Sequence, residues 1–205
     1  HTEVTVKYGW GPERPTYKFD QPADHAVFNS VTDNPVLGDE RFFVRIEEKS
    51  SGRAYSGNIT LEAGKQYEVY IYYHNNAAWD LNRAEHKYKR VARNVRLIAN
   101  FPTKLTAGER KHVSAIIRAD NTEPEAVWAR AYIIAKEDMT LHYVTGSAKI
   151  HNDWKANGSV LSIKLFSSAG TFLGLDALNG VILGDQKLYS GYVVYTILTK
   201  AAQDS

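Results

Sequence analysis

The sequence predicts an all-β protein built as an antiparallel β-sandwich, and three observations support this fold class. β-Branched and aromatic residues alternate with polar ones over many short segments, which is the period of half-buried strands. Turn-forming residues separate these segments. The helical period is weak throughout, and the best helical segment, 77–92, is polar enough to be an ordered loop instead.

The strand pattern is strongest over residues 66–74. The odd-numbered side chains from Tyr67 to Tyr73 share one face, which we expect to be the core face. Tyr70, Tyr72 and His74 alternate outward, so we expect them on the surface or at an interface. The other predicted strands are 41–47, 94–101, 111–118, 127–135, 139–144 and 189–198.

Two long segments do not fit the sandwich pattern. Residues 11–34 contain three prolines and little periodicity, and residues 154–184 mix glycine, serine and apolar residues. We expect the second segment to pack across one end of the sandwich. Connections of this length usually contribute a surface or a function.

The first eight residues, HTEVTVKY, form a strand that is set apart from the rest. Its apolar face carries Thr2, Val4, Val6 and Tyr8, and a Gly-Trp-Gly-Pro breaker follows it. We therefore divide the chain into an N-terminal strand (1–11) and a sandwich domain (12–205). Such a strand has to join a sheet, which is either its own or that of a neighbouring subunit.

Composition excludes several functional classes. The chain has 205 residues and 43% hydrophobic residues, enough for one domain with an ordinary core. Basic and acidic residues number 25 and 23 and are interspersed, so we predict no nucleic-acid partner. The absence of cysteine excludes disulfides and thiolate sites. We also predict no membrane insertion, because no run approaches the ~20 apolar residues of a membrane span.

Several phrases occur in the order expected for a known family. They are EAGKQY at 62–67, YYHNN at 72–76, ARNVR at 92–96, LHYVTGSA at 141–148 and SGYVVY at 190–195. Over residues 60–200 the chain resembles an immunoglobulin-like repeat of bacterial and archaeal surface proteins, a conserved repeat of unknown function. Ala63 stands where the repeat has proline.

The resemblance implies an immunoglobulin-like sandwich on a cell surface, acting as a stalk, adhesin or matrix element without catalysis. The chain begins at His1 without an initiator methionine, which we interpret as removal of a signal peptide and therefore an extracellular or cell-surface location, with a remnant of a cleaved tag as the alternative. It carries one copy of the repeat and no evident anchor. We therefore expect self-association to hold it in place.

Two functions remain as alternatives to self-association. Tyr70, Tyr72, Trp79 and Trp128 are candidates for an exposed aromatic row that stacks on glycans of a neighbouring or host cell, or fills a subunit interface. His1 is a candidate for a copper site formed by an N-terminal amine and imidazole, as in an oxidative enzyme. That site needs a second histidine, and the sequence selects none of His25, His74, His86, His112, His142 and His151.

No other pattern specifies a chemistry, so we predict no enzyme, no metal and no cofactor. Histidine spacing fits no known zinc motif. The acidic loops with Asp33, Asp39 and Glu40, or with Asp120, Glu123 and Glu125, are weak calcium candidates. Glycosylation sequons lie at Asn58 and Asn157, and a Lys–Asn isopeptide bond is compatible with the fold, although no pair can be named.

Our leading hypothesis from the sequence is a secreted structural protein that polymerises head to tail. Residues Thr2 to Tyr8 would complete a sheet of the next subunit, with Val4, Val6 and Tyr8 as buried side chains. Main-chain hydrogen bonds would supply affinity, and the alternating side chains would set the register. A monomeric adhesin or carbohydrate-binding module, with the strand folded back on its own domain, is the second hypothesis.

Overall fold

The structure, a computed structural model, describes residues 9–78, 84–86, 90–185 and 187–204. Two sheets of mainly antiparallel strands pack face to face, so the predicted all-β sandwich is confirmed. In chain order the strands are β1 (Trp10–Gly11), β2 (Val44–Glu48), β3 (Asn58–Leu61), β4 (Gln66–Tyr73), β5 (Arg96–Asn100), β6 (Lys104–Leu105), β7 (Arg110–Arg118), β8 (Ala126–Ala135), β9 (Met139–Tyr143), β10 (Lys149–His151), β11 (Thr171–Phe172) and β12 (Gly191–Ala201).

Each sheet has six strands. The first sheet runs β1, β8, β7, β5, β11, and β3 joins β8 beside β1 as its one parallel pair. The second sheet runs β2, β4, β12, β9, β6, with β10 also paired to β12. Long β7–β8 and β4–β12 ladders form the centres of the two sheets.

Alternation along the strands places the core between the sheets. The inward side chains of β4, from Tyr67 to Tyr73, are at most 2% exposed. Those of β8 and β7, such as Ile133, Ala129 and Val113, are fully buried. Burying an aliphatic or aromatic side chain stabilises the fold by roughly 1.5–3 kcal/mol, so this alternation is what commits each strand to its sheet.

All seven predicted strands are present, with bounds that shift by up to three residues. The long segment 154–184 contains a 3-10 turn, Ile163–Phe166, and β11, which pairs with β5. It therefore covers an edge of the first sheet and not only one end of the sandwich. Of the predicted helix at 77–92, the structure describes a 3-10 turn, Ala84–His86, and much of the remainder lies outside the described residues. Nowhere in the described ranges is a helix long and apolar enough to span a membrane.

Gly191 provides a test of how closely β4, β12 and β10 approach one another. A Cβ at this position would meet the Tyr73 hydroxyl and, at 2.5 Å, the carbonyl oxygen of His151. We expect Gly191→Ala to lower the free energy of unfolding by about 1–3 kcal/mol in urea denaturation, because overpacking displaces neighbouring groups.

Gly57→Ala is the matched control. A Cβ at Gly57 extends into open space, and its φ lies outside the left-handed region. We expect this control to change stability by less than about 0.5 kcal/mol. Equal losses in the two variants would contradict the close approach at Gly191.

Candidate functional site

The outer edge of β8 is shared by two segments that come from different parts of the chain. The Arg130 N–H donates to the carbonyl oxygen of Gly9 at 2.8 Å, next to the antiparallel pairing of Trp10 with Ala129. The Tyr132 N–H donates to the carbonyl oxygen of Gly57, also at 2.8 Å. We call this arrangement, Gly9–Gly11 and Gly57–Leu61 on one edge of β8, the β8 seam.

The two segments of the seam meet on β8 between Arg130 and Tyr132. In the antiparallel register of β1, Trp10 lies opposite Ala129, and two residues past Arg130, at Tyr132, β3 pairs with the same edge in parallel through Asn58. Gly9 has a φ of +70°, a conformation that favours glycine, and a Cβ there would lie 3.3 Å from the Tyr132 ring. From Tyr132 onward, this edge of β8 is therefore taken by β3.

The seam also moves the predicted boundary of the N-terminal strand. Trp10 and Gly11 pair with β8 and belong to the sandwich, although the sequence division placed them with the N-terminal segment. The predicted donor residues Thr2, Val4, Val6 and Tyr8 lie outside the described residues. The described sandwich thus begins at Gly9.

Trp10 anchors β1 against the rest of the domain. Its side chain is 4% exposed, and the Arg41 guanidinium lies 4.3 Å from its ring centroid. Asp39 holds that guanidinium in an ion pair of 2.6 Å, and the Phe42 ring meets Trp10 edge to face. A buried indole with a cation on its face fixes the point at which the chain enters the sandwich.

A depression of about 360 Å³ lies beside the seam, between β8 and the outer edge of β2. Ile46 of β2 exchanges two backbone hydrogen bonds with Ser56, at 2.8 and 3.0 Å. Val44, two residues earlier, presents its peptide groups in the same direction, and no backbone group of the described chain pairs with them there. The depression is lined by Phe42, Val44, Arg45, Tyr55, Gly57, Arg130 and Tyr132.

Behind the seam, a buried ion pair joins the N-terminal connection to β4. Glu40 is fully buried, and His74 is 2% exposed, so the expectation of a surface His74 is wrong. The Nδ1 of His74 lies 2.7 Å from Glu40 Oε2, and its Nε2 faces the carbonyl oxygen of Asp185. Asn34 and Asn76 donate to the two carboxylate oxygens of Glu40 at 2.8 and 2.9 Å.

Both ring nitrogens of His74 face acceptors, which favours the imidazolium form. Burial by itself lowers the pKa of His74, but the charge of Glu40 and the hydrogen bonds to Glu40 and Asp185 outweigh burial and raise the pKa above 6.5. The charged hydrogen bonds of this pair therefore connect three distant segments of the chain, those of Glu40, His74 and Asp185.

The polar network continues from this pair towards β1. Asn76 accepts the Ser30 N–H at 2.7 Å, and Ser30 Oγ accepts from Arg14 Nε at 2.8 Å. Arg14 also donates to the carbonyl oxygen of Asn29, and burial lowers the pKa of Arg14 to about 10. Sequence reasoning missed this network because its members are separate loop residues. The only signal was the Asn29, Asn34, Asn75 and Asn76 amides beside otherwise apolar segments.

The predicted aromatic row does not assemble as expected. Tyr70 stacks between Tyr55 and Tyr192, with centroids 5.1 and 5.0 Å apart, so these rings cover one another's faces. Tyr72 is only 8% exposed, and its hydroxyl accepts a hydrogen bond from Asn34. Trp128 belongs to the other sheet, and Trp79 lies outside the described residues. A sugar ring would find no open tyrosine face at Tyr70.

The other candidate ligands are separated by their own partners. His74 is committed to Glu40 and Asp185, and His1, the proposed copper ligand, lies outside the described residues. Asp33 accepts the Phe19 N–H and Asp39 pairs with Arg41, so these two carboxylates of the first candidate calcium loop have separate partners. Over the described ranges, no group of three or more histidine or carboxylate side chains is placed to hold a metal ion.

The modification sites differ in their exposure. Asn58 and Asn157 of the two sequons are both exposed. Every lysine in the described part of the chain is also exposed, whereas an intramolecular isopeptide bond forms from a buried lysine next to a buried acid. The structure thus leaves the sequons accessible, and among its described residues no buried lysine is present for an isopeptide bond.

Comparison of the chain with protein-family profiles, with curated proteins and with solved structures finds no match. The likeness to an immunoglobulin-like surface repeat therefore remains a prediction from its motifs. What can be argued about function rests on the geometry of the sandwich.

The Glu40–His74 pair predicts a pH dependence of stability. The folded pKa of His74 is raised above its unfolded value of about 6.5, so its contribution is complete below that pH and is lost as pH rises through the folded value. We expect the free energy of unfolding to fall from pH 6 upwards on this account, measured by urea denaturation at several pH values.

His74→Gln should remove this fall of the free energy of unfolding with rising pH. Because one partner of a buried ion pair is lost, the variant should also be less stable by roughly 3–5 kcal/mol at neutral pH. The matched control is His142→Gln, because His142 is exposed and its side chain forms a hydrogen bond with the Thr140 hydroxyl. An unchanged slope in His74→Gln would contradict the assignment.

Proposed function

We propose that this protein is the structural subunit of an extracellular filament, assembled head to tail by strand donation. Residues Thr2 to Tyr8 of one subunit add as a strand to the sandwich of the next. Each contact is heterologous and does not close on itself, so repetition of the contact builds a fibre. The proposed partner is therefore another copy of this chain.

The β8 seam is the observation that carries this proposal. In the described chain, β1 holds the β8 edge up to Arg130 and β3 takes it from Tyr132 onward, which favours a neighbouring subunit as the partner of residues 2–8. A strand with the apolar face of Val4, Val6 and Tyr8 still has a strong requirement to pair and to bury that face. Donation to a neighbouring subunit meets both requirements.

The depression beside Val44 supports a specific acceptor. It lies between the edges of the two sheets, and aromatic and aliphatic groups form much of its lining. An incoming strand would pair with the outward peptide groups of Val44 and place an apolar side chain in the depression. Burying three such side chains would contribute roughly 1.5–3 kcal/mol each before ordering costs.

The donor strand is tested with the double variant Val4→Asp, Val6→Asp. Two charged side chains on the apolar face would have to be desolvated, so we expect folded monomers and no filaments. Thr5→Asp is the control, because it places a charge on the opposite face of the same strand. Negative-stain microscopy and size-exclusion chromatography measure the outcome, and normal filaments from the double variant would contradict donation.

The acceptor is tested by mixing two variants, one without a functional acceptor and one without a functional donor strand. Gly57→Leu fills the depression from a position where a Cβ meets open space, so this variant should keep its donor strand but lose its acceptor. We expect neither Gly57→Leu nor the Val4, Val6 variant to assemble alone, and their mixture to stop at a one-to-one dimer. A mixture that stays monomeric would indicate a strand folded back on its own domain.

A further inference from the structure

The outer face of the first sheet carries one sign of charge. In β5, β7 and β8 the odd-numbered residues other than the exposed Lys111 are buried in the core, for example Leu97, Val113 and Ile133. The even-numbered residues point away from the core, and the ladders place them side by side. Their basic members are Arg96, Arg110, His112, Arg118 and Arg130, with no aspartate or glutamate among them. We call this surface the basic face.

Two of the four arginines of the basic face, Arg110 and Arg130, lie on aromatic rings. The Arg130 guanidinium lies 4.7 Å from the Trp128 ring centroid, and the Arg110 guanidinium lies 4.1 Å from that of Tyr132. In the described chain, no carboxylate forms an ion pair with either arginine. Stacking orders a planar guanidinium and leaves its N–H edges available for a planar anion.

Like charges also lie directly opposite one another on this face. Arg96 and Arg118 are cross-strand partners, an arrangement that is unfavourable unless an anion lies between or near them. Asp120 approaches Arg96 at 3.6 Å from the rim, and Arg118, which is exposed, has no carboxylate partner among the described residues. Burial and the charge of Arg130 lower the pKa of His112, as expected in a positive potential.

The opposite sheet provides a contrast. Its outward positions mix the two signs, for example Arg45 with Glu47 on β2 and Glu68 on β4. Charge segregation is therefore a property of the first sheet and does not follow from the small net charge of the chain.

We propose that the basic face binds an acidic polysaccharide, with uronate carboxylates held by the arginines. Carboxylates match the guanidinium fork, and a flat sheet face accommodates an extended polymer. Single-stranded nucleic acid is a poorer fit, because its bases stack on open aromatic rings and the faces of Trp128 and Tyr132 are covered by guanidinium groups. The basic face lies on the outward faces of β5, β7 and β8, and at its border with the depression beside Val44 the two surfaces share Arg130 and Tyr132.

The test measures binding of the full chain to polygalacturonate by isothermal titration calorimetry at low salt, about 50 mM, and again at high salt. We expect binding that weakens as salt rises and is absent for neutral dextran. The triple variant Arg110→Glu, Arg118→Glu, Arg130→Glu should bind at least about tenfold more weakly, because each arginine supplies a charge-assisted contact.

The matched control is Lys49→Glu, Lys149→Glu, Lys200→Glu, which makes the same change in net charge at exposed positions outside the basic face. We expect it to bind within about threefold of the unmodified chain, since most of its effect is long-range and screened. If the triple glutamate variant is unstable by circular dichroism, Arg→Gln at the same three positions should still weaken binding.

Three results would overturn the proposal: no binding of polygalacturonate at low salt, equal losses in the two triple variants, or oligo(dT) binding as tightly as polygalacturonate. The last result would assign the face to nucleic acid.

Discussion

Every backbone N–H and C=O group on the edge of β8 needs a hydrogen-bond partner. The rest of the structure depends on this constraint. Two short segments divide this edge, and each satisfies the groups that the other cannot reach. Because Gly57–Leu61 crosses to β8 after Ser56 has paired with β2, the same segment also connects the edges of both sheets. Within the described chain, the first segment therefore pairs with β8 from Gly9 to Gly11.

The long connections are ordered by polar contacts, and not by strand pairing alone. Glu40 and His74 neutralise each other in the interior, and the amides of Asn34 and Asn76 complete the hydrogen bonding of the carboxylate. Removing either partner would leave an uncompensated buried charge, so the pair makes the fold sensitive to local change. The segment that follows β1 is thereby held against the far end of β4.

The two outer faces of the sandwich differ in the groups that they present. On the second sheet, Tyr55, Tyr70 and Tyr192 stack on one another and use up their ring faces. On the first sheet, arginines lie on the rings of Trp128 and Tyr132 and present their N–H groups outwards. Aromatic residues thus pack against each other on one face and position arginines on the other. From the sequence alone, the two groups of aromatic residues could not be told apart.

The sequence by itself determined the fold class, the seven longer strands and the inward face of β4. When apolar residues alternate with polar ones over five or more residues, only a strand with its apolar face towards the core buries them all. It did not determine the short strands β1, β3, β6, β10 and β11, which are too short to show a period and form only because an edge needs a partner. It also placed His74 on the surface, since alternation cannot reveal that a distant loop bearing Glu40 covers that position. The tertiary structure alone decided the β8 seam and the basic face, because both join residues that are far apart in the chain.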